Sequence, residues 1–139
     1  PDRHAVGSAL DMIQWASVLR SCSAFEAFRR SRYGVLNLER VVDYLLRDES
    51  FPRSLLYSIL SSENALAEIV AESPHQADNA ASRLVAEVRA HLEETDVHAV
   101  IGEGLHEYLD DIQQRLDEIH AAVQTTFVDY KTADAKVLA

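Results

Sequence analysis

Leu105-His-Glu-Tyr-Leu109-Asp-Asp-Ile112-Gln-Gln-Arg-Leu116-Asp-Glu-Ile119-His-Ala-Ala-Val123-Gln-Thr-Thr-Phe127 places apolar residues at intervals of 4, 3, 4, 3, 4 and 4. That spacing holds one apolar stripe on one side of an α-helix of about 3.6 residues per turn. The stripe is narrow, so the helix presents a single seam and leaves Glu and Asp on its flanks. A helix of this kind predicts a bundle, and the rest of the chain can be read for its partners.

Immediately upstream, Thr95 and Asp96 begin a short helical piece that Gly102 and Gly104 interrupt. Before it, Ser73-Pro74-His75-Gln76 reads as a helix start: Ser caps, Pro takes the first helical position and Gln falls three residues after the cap. This helix is predicted to run to about Glu94 over Ala77, Ala80, Ala81, Leu84, Val88 and Leu92. Ser50, with Pro52 in the first turn, opens another over about 51–72, and Asn37 caps a shorter one through about Arg47 that buries Leu38, Val41, Val42, Leu45 and Leu46. At the amino end Ser8 caps, with Asp11 three residues on. Leu10, Ile13, Ala16 or Trp15, Leu19, Cys22, Phe25 and Phe28 then step by three and four until Gly34, which predicts one long helix over about 9–32. The predicted fold is all-α: an up-and-down helical bundle of about four long helices plus short helical pieces, a single domain over 1–139 whose residues 131–139 fray.

Composition agrees. In 139 residues there are only 4 Gly and 3 Pro, too few for the many turns of an all-β chain, while 47% apolar content suffices for a core. The formal net charge of −10 disfavours nucleic acid as a partner, which would require clustered positive charge. That total is unevenly spread: residues 1–60 carry eight Arg, no Lys and seven acids, for +1, whereas residues 61–139 sum to −11. The single Cys22 excludes an internal disulfide, fits a cytoplasmic location and, on an apolar helix side, reads as a buried small hydrophobe. No apolar run reaches the roughly 18–20 residues of a membrane-spanning helix, so no membrane partner is expected. The chain opens on Pro1 without an initiator Met or signal pattern, and is expected to be the C-terminal portion of a longer protein.

The enzyme-like pattern is Glu103-x-x-His106, since a Glu and a His three apart share a helix face and can hold a metal in four-helix di-iron proteins. Its nearest second instance, Asp117-x-x-His120, is fourteen residues on along the same helix, about 21 Å away, too far to share a metal pair. No metal and no cofactor are expected, and no phosphate loop or nucleophile elbow is present. The basic residues of the first half are more informative. Arg20, Arg29, Arg30, Arg32, Arg40, Arg47 and Arg53 favour planar, bidentate contacts to carboxylate or phosphate. Two readings stand: the guanidiniums pair with the acidic second half, or Arg20, Arg29, Arg30 and Arg53 line a site for an anionic ligand or acidic peptide. Glu26 with Arg29 or Arg30 supplies an intrahelical pair that requires no ligand.

The string Trp15-Ala-Ser-Val-Leu-Arg-Ser-Cys-Ser-Ala-Phe-Glu-Ala-Phe-Arg-Arg30, then Glu39-Arg40-Val-Val-Asp-Tyr-Leu-Leu46 and Phe51-Pro-Arg-Ser54, resembles the bacterial alpha-E domain family. Glu63-Asn64-Ala65 and Gly104-Leu-His-Glu-Tyr-Leu109 resemble its C-terminal portion. The resemblance implies an all-helical protein of about twice this length, linked to ATP-grasp-type peptide ligases and transglutaminase-like proteins. The family's Glu-Arg motif is followed by a polar, Thr-containing stretch, whereas Glu39-Arg40 leads into Val41-Val42-Asp43-Tyr44. On this reading the motif's role is not transferred to Glu39 and Arg40, and the motif-bearing segment is expected before Pro1. The expectation is a non-catalytic module that binds a partner or an acidic peptide for a peptide-ligase system. The alternative is an enzyme of peptide modification whose site needs the upstream half. An apolar patch left by that half is expected to allow a homodimer.

Overall fold

The computed structural model describes residues 9–31 and 33–129, and among these the chain forms seven α-helices and no strand. They are α1 (Ala9–Ser21), α2 (Phe25–Arg30), α3 (Leu38–Arg47), α4 (Leu55–Glu72), α5 (Ala80–Glu94), α6 (Val97–Glu103) and α7 (Leu105–Val123). A 3₁₀ turn, Pro74–Gln76, precedes α5, and α7 widens into a π-turn over Gln124–Asp129. The expected cap Ser8, the side chain of Asp11, Arg32 and the expected fraying at 131–139 lie outside the described residues.

The main core joins three long helices. α5 packs against both α4 and α7, and Leu56, Ile59, Leu66, Val85, Val88, Leu92, Ile112 and Phe127 are buried together. Burying each such side chain contributes about 1.5–3 kcal/mol. Within the α7 stripe Leu109 is exposed, and Tyr108 instead packs against the core. The side-chain amide of Gln76 donates to the Thr126 carbonyl at 3.1 Å, tying the 3₁₀ turn to the end of α7.

A second core gathers Leu19, Ala24, Phe28, Val41, Tyr44 and Phe51 from α1, α2, α3 and the α3–α4 connection. α3 separates this core from a smaller cluster of Val42, Leu46 and Val97. Neighbouring residues such as Val41 and Val42 point about 100° apart on a helix, so one short helix can serve two clusters. Asn37 caps α3 as expected, its Oδ1 accepting from Arg40 N at 2.9 Å.

Three expected boundaries are corrected. First, the long helix over 9–32 is two helices, so three long helices rather than four make the bundle. Ser23 sits at φ 55°, its N–H bonds the Arg20 carbonyl at 3.0 Å, and Ala24 N–H bonds Leu19 O at 2.7 Å. That is a Schellman ending, with buried Ala24 against buried Leu19. Second, α4 starts at Ser54, not Ser50: Ser54 Oγ accepts from Tyr57 N at 3.1 Å, while Ser50 N and Oγ both turn back to Asp48 Oδ1. Third, Ser73 makes no side-chain cap; Asn79 caps α5, accepting from Ser82 N at 2.8 Å. α6 begins where expected, with Asp96 Oδ1 accepting from His98 N and Ala99 N. It ends at Gly104, whose φ of 140° only glycine adopts readily.

Candidate functional site

The break after Ser21 decides where the arginines go. Arg20 and Arg29 are nine residues apart; on one continuous helix they would lie on opposite sides, about 14 Å apart along the axis. With α1 and α2 folded over at Ser23, both guanidiniums meet one ring: Arg20 Cζ is 4.2 Å and Arg29 Cζ 5.9 Å from the Phe25 centroid. Arg53, from the end of the α3–α4 connection, donates to the Ser23 carbonyl at 2.7 Å and lies 5.2 Å from the Phe51 ring. Arg20, Arg29 and Arg53 thus surround one corner. Arg30 borders a shallow cleft of about 350 Å³ beside Tyr44 and Phe51.

Two first-half arginines pair with acids of their own half, one of them in the intrahelical Glu26–Arg29 pair that the spacing predicts. Arg29 pairs with Glu26 at 3.5 Å and Arg47 with Asp43 at 3.2 Å, both within the first half, because helical spacing brings i,i+3 and i,i+4 neighbours together. Across the halves, Arg47 donates to the Glu93 carbonyl at 3.1 Å and His98 Nδ1 lies 3.4 Å from Glu39 Oε2. Cys22 is exposed rather than buried, since the Schellman turn lifts it off the side of α1 that carries Leu19.

The larger concave features flank α3. A cleft of about 590 Å³ is bordered by Ser31, Asp48, Glu49, Ser50 and Glu93, and one of about 510 Å³ by Tyr33, Asn37, Glu39, Arg40, Asp96 and His98. Asp43 and Arg47 line both. The Asp43 carboxylate is held from two sides: Tyr33 OH donates to Oδ2 at 2.7 Å and Arg47 Nη1 to Oδ1 at 3.2 Å. Arg40 donates to the Tyr33 carbonyl. Among the described residues, the two linings together hold six acids (Glu39, Asp43, Asp48, Glu49, Glu93 and Asp96) and two arginines, Arg40 and Arg47, and the Glu93 carboxylate also meets Arg89 at 3.2 Å. Asp48 is 5% exposed, and its Oδ1 accepts from both the N–H and the hydroxyl of Ser50, which are neutral donors. The charge it carries reaches Tyr44, whose phenol is pushed up by burial first and by Asp48 second, against an opposing pull from Arg53.

Glu103 and His106 do not share a helix: Glu103 ends α6, Gly104 turns the chain, and His106 pairs with Asp110 at 3.3 Å in α7. Among the described residues no group of three His, Cys, Asp or Glu side chains is placed to hold a metal ion. Tyr33, Asp43, Asp48 and His98 escaped the sequence reading. The available signals were the i,i+4 spacing of Asp43 and Arg47 and the dipeptide Glu39-Arg40, the single Glu-Arg pair in the chain.

Compared with known families, residues 2–128 match the model of a predicted alpha-helical domain with a conserved ER motif. No curated protein and no solved structure gives a significant match.

Proposed function

The chain belongs to the Alpha-E family, and from that premise we propose that it is a non-catalytic recognition module of a peptide-ligating or peptide-modifying system, receiving the amine-bearing part of a peptide in the clefts along α3. The observation that carries this reading is the Asp43–Arg47 pair at the junction of the two clefts, with Glu39-Arg40 beside it. Tyr33 and Arg47 fix the Asp43 carboxylate before any ligand arrives, which lowers the ordering cost of binding. Among the described lining residues acids outnumber arginines, which favours an ammonium or guanidinium on the ligand. The cleft volumes fall within the roughly 300–1,000 Å³ typical of ligand sites. The link to peptide ligases comes from the family resemblance.

Calorimetric titration with an acetylated, amidated Gly-Lys-Gly peptide is the test. Binding is expected, weakened at least tenfold, about 1.4 kcal/mol, in Asp43→Asn and in Glu49→Gln/Glu93→Gln, with circular dichroism unchanged. No binding at low salt, or equal binding by the variants, overturns it. A second reading, an enzyme of peptide modification, has one observation in its favour: the His98–Glu39 contact, an imidazole oriented by a carboxylate beside Arg40. Turnover of a peptide that His98→Gln abolishes without loss of binding would establish that reading in place of the first.

A further inference from the structure

We propose that the corner between α1 and α2 docks an acidic segment of a partner protein, independently of the α3 clefts. The corner is a basic surface on a chain of net charge −10. Its three guanidiniums, Arg20, Arg29 and Arg53, are gathered by the Ser23 turn, and among the described residues the acid paired with one of them is Glu26, on Arg29. The Arg29–Glu26 pair is solvent-exposed on both sides, and such pairs contribute little, so a better-placed carboxylate can displace it.

What distinguishes this corner from scattered surface arginines is that its side chains are already positioned. Arg20 lies over the Phe25 ring, and Arg53 is held both by the Ser23 carbonyl and beside the Phe51 ring. Each guanidinium has five N–H donors in a fixed plane; stacking consumes none of them and the Ser23 bond uses one. The remaining donors can meet carboxylates two at a time, with little side-chain entropy left to lose. Ile13 is exposed seven residues before Arg20, on nearly the same side of α1 and about 10 Å away. The segment that fits therefore carries several Glu or Asp residues and an apolar residue at that distance.

Fluorescence anisotropy with a dye-labelled hexaglutamate peptide tests the charged part of this surface. Wild-type protein is expected to bind at low salt, and Arg20→Gln/Arg29→Gln to lose at least tenfold. Arg83→Gln/Arg115→Gln, which removes the same charge from elsewhere on the surface, is expected to leave binding unchanged. Equal loss in both double variants would mean general electrostatic attraction and overturn the proposal, as would absence of binding below about 50 mM salt, where screening is weak. A concentration-dependent dimer in sedimentation that Arg20→Gln/Arg29→Gln converts to monomer would assign the corner to a second copy of the chain, which also overturns it. Hexaglutamate binding and Gly-Lys-Gly binding respond to different variants, so either result can fail alone.

Discussion

Tyr44 concentrates the forces of the second core in one side chain. Its ring stacks on Phe51 at 4.7 Å and meets Phe28 edge-on at 5.3 Å, while its phenol lies near Asp48. Burial disfavours the phenolate, and loss of the proton would also put a second negative charge beside the Asp48 carboxylate, so the folded protein holds that proton above the ordinary tyrosine range. A group whose folded pKa is raised contributes stability that is fully present below its unfolded pKa, here about 10, and lost as pH rises through the folded value. Spectrophotometric titration should therefore show a late-ionising tyrosine component that coincides with onset of unfolding. Tyr44→Phe should remove that late component; its persistence would show that another tyrosine is responsible. Nothing in the sequence announced this residue, because Tyr44 falls between the Val and Leu positions by which α3 was recognised. Cys22 was misread for the opposite reason: it fits the apolar stepping of α1, yet it lies one residue past the last helical turn.

At the scale of elements, local chemistry identified α3 and α6 by the caps the structure uses, and α7 by a stripe the structure uses except at Leu109, where Tyr108 packs instead. It failed where two candidate starts compete. Ser73-Pro74 satisfies every local rule for a helix start, but Gln76 reaches Thr126 fifty residues away, and the helix waits for Asn79. Asn79→Ala is accordingly expected to cost about 1 kcal/mol in chemical denaturation, and Ser73→Ala close to nothing. The reverse order would place the start of α5 at the earlier site. The break between α1 and α2 was hidden by the same competition. No Gly or Pro marks residues 21–24, and Phe25 and Phe28 keep the helical step because α2 returns to the core that α1 faces. Part of what holds Ser23 in its left-handed conformation is Arg53, thirty residues on, which local pattern cannot reveal. The convergence of Arg20 and Arg29 on the Phe25 ring depends on that break, because on one continuous helix the two lie on opposite sides.

Across the whole molecule, all-α architecture follows from the sequence, while the division into two cores does not. Leu92 and Phe28 are each at the centre of one, and both are almost fully buried. Leu92→Ala is expected to lose about 2–5 kcal/mol and Phe28→Ala about 3–5 kcal/mol. Amide hydrogen exchange should separate them: Leu92→Ala lowers protection in α4, α5 and α7, and Phe28→Ala lowers it first in α1 and α2. Uniform loss in both variants would mean that the two cores open as one unit. Among the described residues no helix is long and apolar enough to cross a membrane.

The exposed thiol of Cys22, the chain's single cysteine, stands one residue from Ser23 and two from Arg20. A maleimide fluorophore or nitroxide would attach there and nowhere else, without engineering of the sequence. Its emission or line shape would then report on the surroundings of the turn, so arrival of a partner at the neighbouring guanidiniums could be followed in real time on the native chain.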